Sequence, residues 1–139
     1  GFEPLHDFTA ALEAEPARLA GAEAVLAGRP GRHPAHQHQS YVARGRYDEQ
    51  VRRLWGALGR DRVLVLYTED LERDPTATLD ILQDFLGIGR RPLVPGRWNR
   101  RPHGVVPTAA VRTIRDATAP SDAWLVDNLP TPPPWVGAS

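Results

Sequence analysis

An uninterrupted apolar run, "VLVLY" at residues 63–67, constrains the fold of this chain more than any other feature. An apolar run of this length without polar alternation is typical of a strand covered on both faces, as in parallel α/β sheets. A cluster of acids ends the run: Glu69, Asp70, Glu72 and Asp74. A buried strand pairs its backbone with a neighbour on each side, and no other run in the sequence has equal strength. Either two molecules pair their edges, or the other strands of a parallel sheet lie upstream of Gly1. We expect the second, because the chain opens without a methionine.

The composition excludes several classes of function. A chain of 139 residues, 24% charged and 41% apolar, suits one soluble globular domain. A formal net charge of zero gives it no general attraction to nucleic acid or to an anionic membrane. No apolar run approaches the roughly 20 residues of a membrane span. The absence of cysteine excludes disulfides and thiolate chemistry and fits a reducing compartment, so we expect a cytoplasmic protein.

The sequence predicts a helix on each side of the apolar run. Residues 47–58 carry an apolar stripe at helical spacing, formed by Val51, Leu54, Trp55 and Leu58. Gly59 follows that helix as a left-handed cap would. The second helix begins at Asp74, which can cap free N–H groups, and Pro75, which suits the first turn. Gly87 ends it, after a predicted buried stripe of Leu79, Leu82, Phe85 and Leu86.

Shorter helices and loops account for the rest of the chain. Four helices are predicted at residues 5–15, 17–27, 108–117 and 120–129. Glycine and proline mark two loops, at residues 28–39 and 90–107. Ser121 is the predicted cap of the last helix, with Leu125 and Leu129 facing inward. "PTPPPW" at residues 130–135 is a rigid, extended end whose Trp135 is predicted to dock.

Residues 40–88 closely resemble the C-terminal half of sulfotransferases that use 3′-phosphoadenosine 5′-phosphosulfate (PAPS). Those proteins show a Tyr-x-x-x-Gly-x-Tyr start, an amphipathic helix with a Trp, and a strand ending in Glu-Asp-Leu. A helix then opens with Asp-Pro and closes on Phe-Leu-Gly. The matching residues are Tyr41, Gly45, Tyr47, Trp55, Glu69–Leu71, Asp74–Pro75 and Phe85–Gly87. The opening stretch is similar to the segment after the family's 3′-phosphate motif, and "LVDNL…PPPW" is similar to its closing segment.

The resemblance implies a three-layer α/β fold with a P-loop-kinase-like parallel sheet flanked by helices. Residues 1–139 would be the C-terminal part of a single sulfotransferase domain, mostly helical with one strong buried strand. The implied reaction moves a sulfuryl group from PAPS to a hydroxyl or amine of a carbohydrate or small-molecule acceptor. No metal is implied. The family's phosphosulfate loop and its Arg…Ser motif would both precede Gly1, so we expect the chain alone to be inactive.

An arginine-rich loop is the candidate donor site. Twelve residues without an acid contain Arg90, Arg91, Arg97, Arg100 and Arg101. Guanidinium groups bind phosphate bidentately. In the family a basic loop at the corresponding place closes over the nucleotide, which implies a PAPS-binding set of Arg97, Asn99, Arg100 and Arg101. A solvated loop, in a protein whose basic residues are all arginine, is the alternative.

The histidine-rich loop and the residues after it are the candidate acceptor site. The family's acceptor cleft is lined by the segment entering "SY", which implies Tyr41 and Arg44 as substrate-binding residues. His38 is the predicted base for an acceptor hydroxyl, with the main catalytic groups upstream of the chain. Alternatively, His33, His36 and His38 are simply solvated or bind zinc. No cysteine or nearby carboxylate supports the zinc interpretation, so we predict no metal.

Two other functions stay open from the residues alone. The chain could be a non-enzymatic helical module whose arginine loop binds an anionic partner and whose strand pairs across a dimer. It could also be a nucleotide kinase relative that uses ATP. The motifs of residues 67–87, "YTEDL…DP…FLG", favour the sulfotransferase over the kinase.

Overall fold

The computed structural model describes residues 3–27, 33–93, 96 and 105–137, except the side chains of residues 23, 26 and 27. These ranges contain helices α1 (Phe8–Arg18), α2 (Ala22–Ala27), α3 (Pro34–His38), α4 (Val42–Gly45), α5 (Tyr47–Leu58), α6 (Thr68–Arg73), α7 (Pro75–Phe85) and α8 (Thr108–Asn128). A short 3₁₀ turn, Arg60–Arg62, follows α5. Within the same ranges, no helix is both long enough and apolar enough to cross a membrane.

The predicted α/β fold with a P-loop-kinase-like parallel sheet is wrong for the described residues, which are mostly helical and contain no strand. The predicted buried strand, residues 63–67, is extended without being part of a sheet. Val63 has φ −125° and ψ 111°, and Tyr67 has φ −102° and ψ 139°. A strand is stabilised by pairing with another extended segment, and the described chain offers none for this one. Helices pair their backbone internally and therefore form without such a neighbour.

The chain divides into two compact units, and unit 1 comprises residues Gly1–Tyr47 and Gly104–Ser121. Its buried apolar side chains are few and mostly small: Ala11, Leu12, Ala22 and Ala110. Its buried polar side chains are as numerous: Glu15, Ser40, Thr118 and Ser121. A buried polar group is costly unless it is hydrogen-bonded. The stability of unit 1 therefore depends on how these polar groups are paired.

Helix α1 begins later than the sequence predicts because Asp7 caps it. Oδ1 of Asp7 accepts hydrogen bonds from the backbone N–H groups of Thr9 at 2.7 Å and Ala10 at 3.0 Å. The helix also continues through Pro16, where the sequence predicts its end, to Arg18. The extra turn contains Arg18, whose hydrogen bonds to Glu3 are described below.

Unit 2 comprises residues Asp48–His103 and Asp122–Ser139 and has an aromatic core. Four buried residues form its centre: Val51, Tyr67, Leu125 and Leu129. Val65 and two tryptophans, Trp55 and Trp124, pack against that centre, and the two indole rings lie 5.4 Å apart. The inward positions of Leu125 and Leu129 are confirmed. The predicted docking of Trp135 is also confirmed, because its ring meets the Tyr67 ring edge-on at 5.6 Å.

The predicted bounds of helix α7 are confirmed, but its predicted buried face is not. Oδ1 of Asp74 accepts from the Ala77 N–H at 3.0 Å, and Gly87 ends the helix region with a φ of 65°. The buried side chains are the polar Thr78 and Gln83, while Phe85 is 41% exposed. Gln83 is buried because its amide is paired with the backbone of Arg91, at 2.7 Å and 3.3 Å. The predicted stripe is wrong at Phe85 and also at Leu86, which is exposed.

Three other predictions, two of secondary structure and one of burial, are wrong in part. The two helices predicted at 108–117 and 120–129 are one helix, α8, with Pro120 and Ser121 inside it. Helix α3 lies in a segment predicted as loop, and α6 follows Tyr67 directly. The stripe of α5 buries Val51 and half-buries Trp55, but Leu54 and Leu58 are exposed.

Replacing Asp74 with alanine should lower the free energy of unfolding by about 1 kcal/mol, because α7 loses its N-cap. Urea denaturation followed by far-UV circular dichroism measures this change. Asp74→Asn is the matched control, since its amide oxygen can still accept from the Ala77 N–H. An equal loss of stability in both variants would contradict the capping role.

Candidate functional site

The residues that lead into the predicted acceptor site are held by a buried carboxylate. Helix α1 places Glu15 inside unit 1, where it is 3% exposed. Its Oε2 accepts from the N–H groups of Tyr41 and Val42, and its Oε1 accepts from that of Ala43, each at 2.8 Å. These N–H groups lie at the start of α4, where a helix has no internal acceptors for them. Glu15 therefore fastens the start of α4 to α1.

A second acid holds the Tyr41 side chain. Arg18 donates two hydrogen bonds to Glu3, from Nη1 to Oε2 at 2.8 Å and from Nη2 to Oε1 at 3.0 Å. The Tyr41 hydroxyl donates to the same Oε2 at 2.7 Å, and its ring meets the Phe8 ring edge-on at 5.3 Å. Glu3, Arg18 and Tyr41 thus form one network, which we call the Glu3 network.

Titration in the Glu3 network favours a neutral phenol beside a charged carboxylate. Hydrogen bonds from Arg18, then from the Leu5 backbone N–H and the Tyr41 hydroxyl, lower the pKa of Glu3 to about 2. Burial, followed by the hydrogen bond to Glu3, raises the pKa of the Tyr41 phenol. At neutral pH the Tyr41 hydroxyl is therefore a hydrogen-bond donor committed to Glu3.

The other predicted acceptor residues, His38 and Arg44, lie on the same short stretch as Tyr41 but are exposed. His38 ends α3, and the Arg44 guanidinium donates to the backbone carbonyl of Gln37. Neither side chain is without a partner. The catalytic role of His38 and the substrate-binding roles of Tyr41 and Arg44 stay predictions. Their sequence neighbourhood is ordered by Glu15, which sequence reasoning missed because an acid in a helix usually faces solvent.

The histidine-rich segment has a structural use. Nδ1 of His33 accepts from the His36 backbone N–H at 3.1 Å and so caps α3. Among the described residues, no group of three or more His, Asp or Glu side chains could hold a metal ion.

The predicted donor residues Arg97, Asn99, Arg100 and Arg101 lie outside the described residues. Of the two arginines that precede them, Arg90 is paired with α7: its Nε donates to Asp84 at 3.0 Å and its Nη1 to Asp80 at 3.3 Å. This pairing lowers the pKa of Asp84 and raises that of Arg90. Arg90 is therefore engaged within unit 2, whereas the donor-binding role of the later residues stays a prediction.

A groove of about 360 Å³ runs beside the extended segment in unit 2. Residues 63–67, Ile81 of α7 and residues 128–131 line it, with Arg60 and Asp70 as its charged side chains. The Arg60 guanidinium stacks over the Trp55 ring at 4.0 Å. Apart from these two charges the groove is largely apolar, which suits an apolar occupant better than a nucleotide.

The main chain beside this groove is unpaired. Among the described residues, the N–H and C=O groups of Leu64, Val65 and Leu66 form no hydrogen bond with another backbone group. Tyr67, by contrast, has partners: its carbonyl accepts from the Leu71 N–H, and its hydroxyl donates to the Thr131 carbonyl at 2.8 Å. The groove therefore offers a short, extended, unsatisfied edge.

Comparison with protein-family models, with curated proteins and with solved structures found no match for the chain. The likeness of residues 40–88 to sulfotransferases is therefore carried by the motifs of this sequence alone. The functional roles drawn from it belong to a proposal.

Glu15→Gln should lower the free energy of unfolding by about 1–3 kcal/mol, because the amide leaves part of a buried donor cluster without an acceptor. Glu13→Gln is the matched control, since Glu13 is exposed on the same helix. That control should stay within about 0.5 kcal/mol of the parent protein. Urea denaturation measures both. If the two variants lose equal stability, the charge of α1 rather than the buried contact is responsible.

The Glu3 network should make the stability of the fold depend on pH in the acid range, between the usual pKa of a glutamate and the lower pKa of Glu3 in the folded protein. The pKa of Glu3 in the folded protein, about 2, lies below the usual value of 4.5 for a glutamate. Its contribution to stability is therefore complete above the unfolded pKa and is lost as the pH falls towards the folded one. Thermal unfolding at about pH 5 and about pH 2 should show a smaller drop in Tm for Glu3→Gln than for the parent protein. Equal drops in the two proteins would rule out this linkage.

Proposed function

We propose that this chain works in a PAPS-dependent sulfotransferase that acts on a hydroxyl or amine of a carbohydrate or small-molecule acceptor. The 139-residue chain contains no phosphosulfate-binding loop and no Arg…Ser motif of the family type. We therefore also propose that the 139-residue chain is inactive without that loop and that motif.

The observation that carries the proposal is the order of motifs in residues 40–88, together with the local conformation of each. Helix α5 follows the Tyr-x-x-x-Gly-x-Tyr start, and the extended residues 63–67 lead into "TEDL". Asp74 then caps α7, which ends before a positive-φ Gly87 in "FLG". The bounds of α5 and α7 agree with the resembling motifs and support the proposal at the level of local structure, whereas residues 63–67 are extended but form no strand.

The proposed reaction moves a neutral SO₃ unit between two oxygens, or from an oxygen to a nitrogen. The S–O bond to the donor's phosphate breaks, and its electron pair stays on the departing adenosine 3′,5′-bisphosphate. The acceptor forms a new bond to sulfur and gives its proton to a base. Catalysis requires cationic or N–H donors for the developing negative charge and a base within reach of the acceptor.

In this proposal the arginine-rich loop holds the donor, and the stretch from His38 to Arg44 faces the acceptor. Arg97, Arg100 and Arg101, with Asn99, supply the charges for the donor's phosphates. His38 is the proposed base, and Arg44 orients the acceptor. Tyr41 lines the acceptor site with its ring, because its hydroxyl donates to Glu3.

An anion-binding helical module is the second candidate, since the described residues are mostly helical and contain no sheet. Such a module would use the same arginine-rich loop but would bind without turnover. The two proposals therefore differ in whether the bound anion is consumed.

The decisive measurement is turnover by the protein expressed from its natural gene. Incubation with PAPS and a panel of sugar, alcohol and amine acceptors should release adenosine 3′,5′-bisphosphate only when an acceptor is present. ATP in place of PAPS should give no phosphorylated product. Acceptor phosphorylation by ATP would instead support the kinase relative, and donor binding without turnover would support the anion-binding module.

In the same assay, Arg97→Ala and Arg101→Ala should each raise the KM for PAPS about tenfold to a hundredfold, because each removes a charged hydrogen bond to phosphate. Arg112→Ala is the matched control, as Arg112 is an exposed arginine of α8 outside the loop. An unchanged KM for PAPS in both loop variants would show that the loop is not part of the donor site.

A further inference from the structure

The side chains at the end of the extended segment of unit 2 alternate in exposure. Val65 packs against the core and Tyr67 is 8% exposed, whereas Leu66 between them is 39% exposed. This alternation is that of a strand, and the backbone of residues 64–66 is unpaired within the described chain. Natural sheet edges are usually protected by a lysine, a proline or a bulge, and residues 63–67 contain neither lysine nor proline. The segment is therefore an unprotected edge.

The two ends of the segment carry opposite charge. The turn before it, residues 60–62, has two arginines and one aspartate. The helix after it and its cap, residues 68–74, have four acids and one arginine. The Arg60 guanidinium lies on the Trp55 ring, and Arg62 and Glu69 are exposed.

We propose that residues 63–67 form an intermolecular strand pair, antiparallel, with the same segment of a second copy of this chain. Another extended main chain offers donors and acceptors at the spacing of the unpaired groups of residues 64–66. A second copy supplies such a chain with matching apolar side chains. This inference does not depend on the proposed sulfotransferase function.

Charge selects the antiparallel direction. In an antiparallel pair, residues 60–62 of each copy meet the acidic residues 68–74 of the other, which brings Arg62 close to Glu69. In a parallel pair the acidic ends would lie side by side and repel each other. The antiparallel pair also has two-fold symmetry, so each charge contact occurs twice and the assembly closes at two copies.

Pairing also covers apolar surface at the groove. Leu66 is 39% exposed and Ile81 of α7 is 52% exposed, and both line the groove into which the second segment would fit. Their burial is favourable at roughly 25 cal/mol per Å² of apolar surface removed from water. Strand pairing thus satisfies the polar main chain and the apolar side chains at once.

The first test is the mass of the 139-residue chain by light scattering over a concentration series. The parent chain should shift from monomer to dimer as concentration rises. Leu66→Lys should stay monomeric, because a lysine at an edge blocks pairing. Leu58→Lys is the matched control: Leu58 is exposed on α5 and does not line the groove, so this variant should dimerise like the parent. Circular dichroism confirms that both variants are folded.

The second test uses charge reversal. Arg62→Glu should weaken the dimer, and the double variant Arg62→Glu, Glu69→Arg should restore it, because the reversed charges meet across the two-fold axis. Amide hydrogen exchange at residues 64–66 should slow as the dimer forms. A chain that is monomeric at every concentration, a dimer that survives Leu66→Lys, or a double variant no better than the single one would each overturn the proposal.

Discussion

The main chain of residues 64–66 is the constraint on which unit 2 depends, because its N–H and C=O groups form no hydrogen bond with another backbone group of the described chain. Unpaired main-chain groups are tolerated only where water or another chain can reach them. The segment therefore lies beside a groove, with Val65 and Tyr67 turned to the core. The surrounding helices cannot pair with this segment, because their own donors and acceptors are used internally.

Unit 1 differs from unit 2, because it combines buried polar groups with a small apolar core. The carboxylate of Glu15 takes up three N–H groups at the start of α4, and Glu3 gathers Arg18 and the Tyr41 hydroxyl. Removing one member of such a network leaves its partners buried and unpaired, which costs more than the hydrogen bond itself. Rigidity around Tyr41 therefore comes from hydrogen bonds more than from packing.

Helix ends with clear capping residues could be predicted from the sequence, whereas burial could be predicted only in part. Asp74, Pro75 and Gly87 act within a few residues of themselves, so the bounds of α7 followed from sequence. The exposure of Phe85 and Leu86 depends on what lies opposite them, which periodicity does not reveal. Glu15 was missed for the same reason, because its partners at residues 41–43 are distant in sequence. The candidate acceptor residues Tyr41 and Arg44 came from the resemblance, and of these two Tyr41 takes part in the contacts with Glu15 and Glu3.

The difference between local conformation and packing also limits what the motifs say about function. The motifs that resemble a sulfotransferase are local signals, and local signals specify conformation without specifying what a helix face packs against. Pairing at residues 63–67 would cover Leu66 and Ile81, which line the groove, but it gives no cover to Leu86 and Ile88, which do not. Leu86 is 56% exposed and Ile88 is 54% exposed. The exposed apolar side chains that follow α7 therefore lie outside the surface that pairing at residues 63–67 would cover.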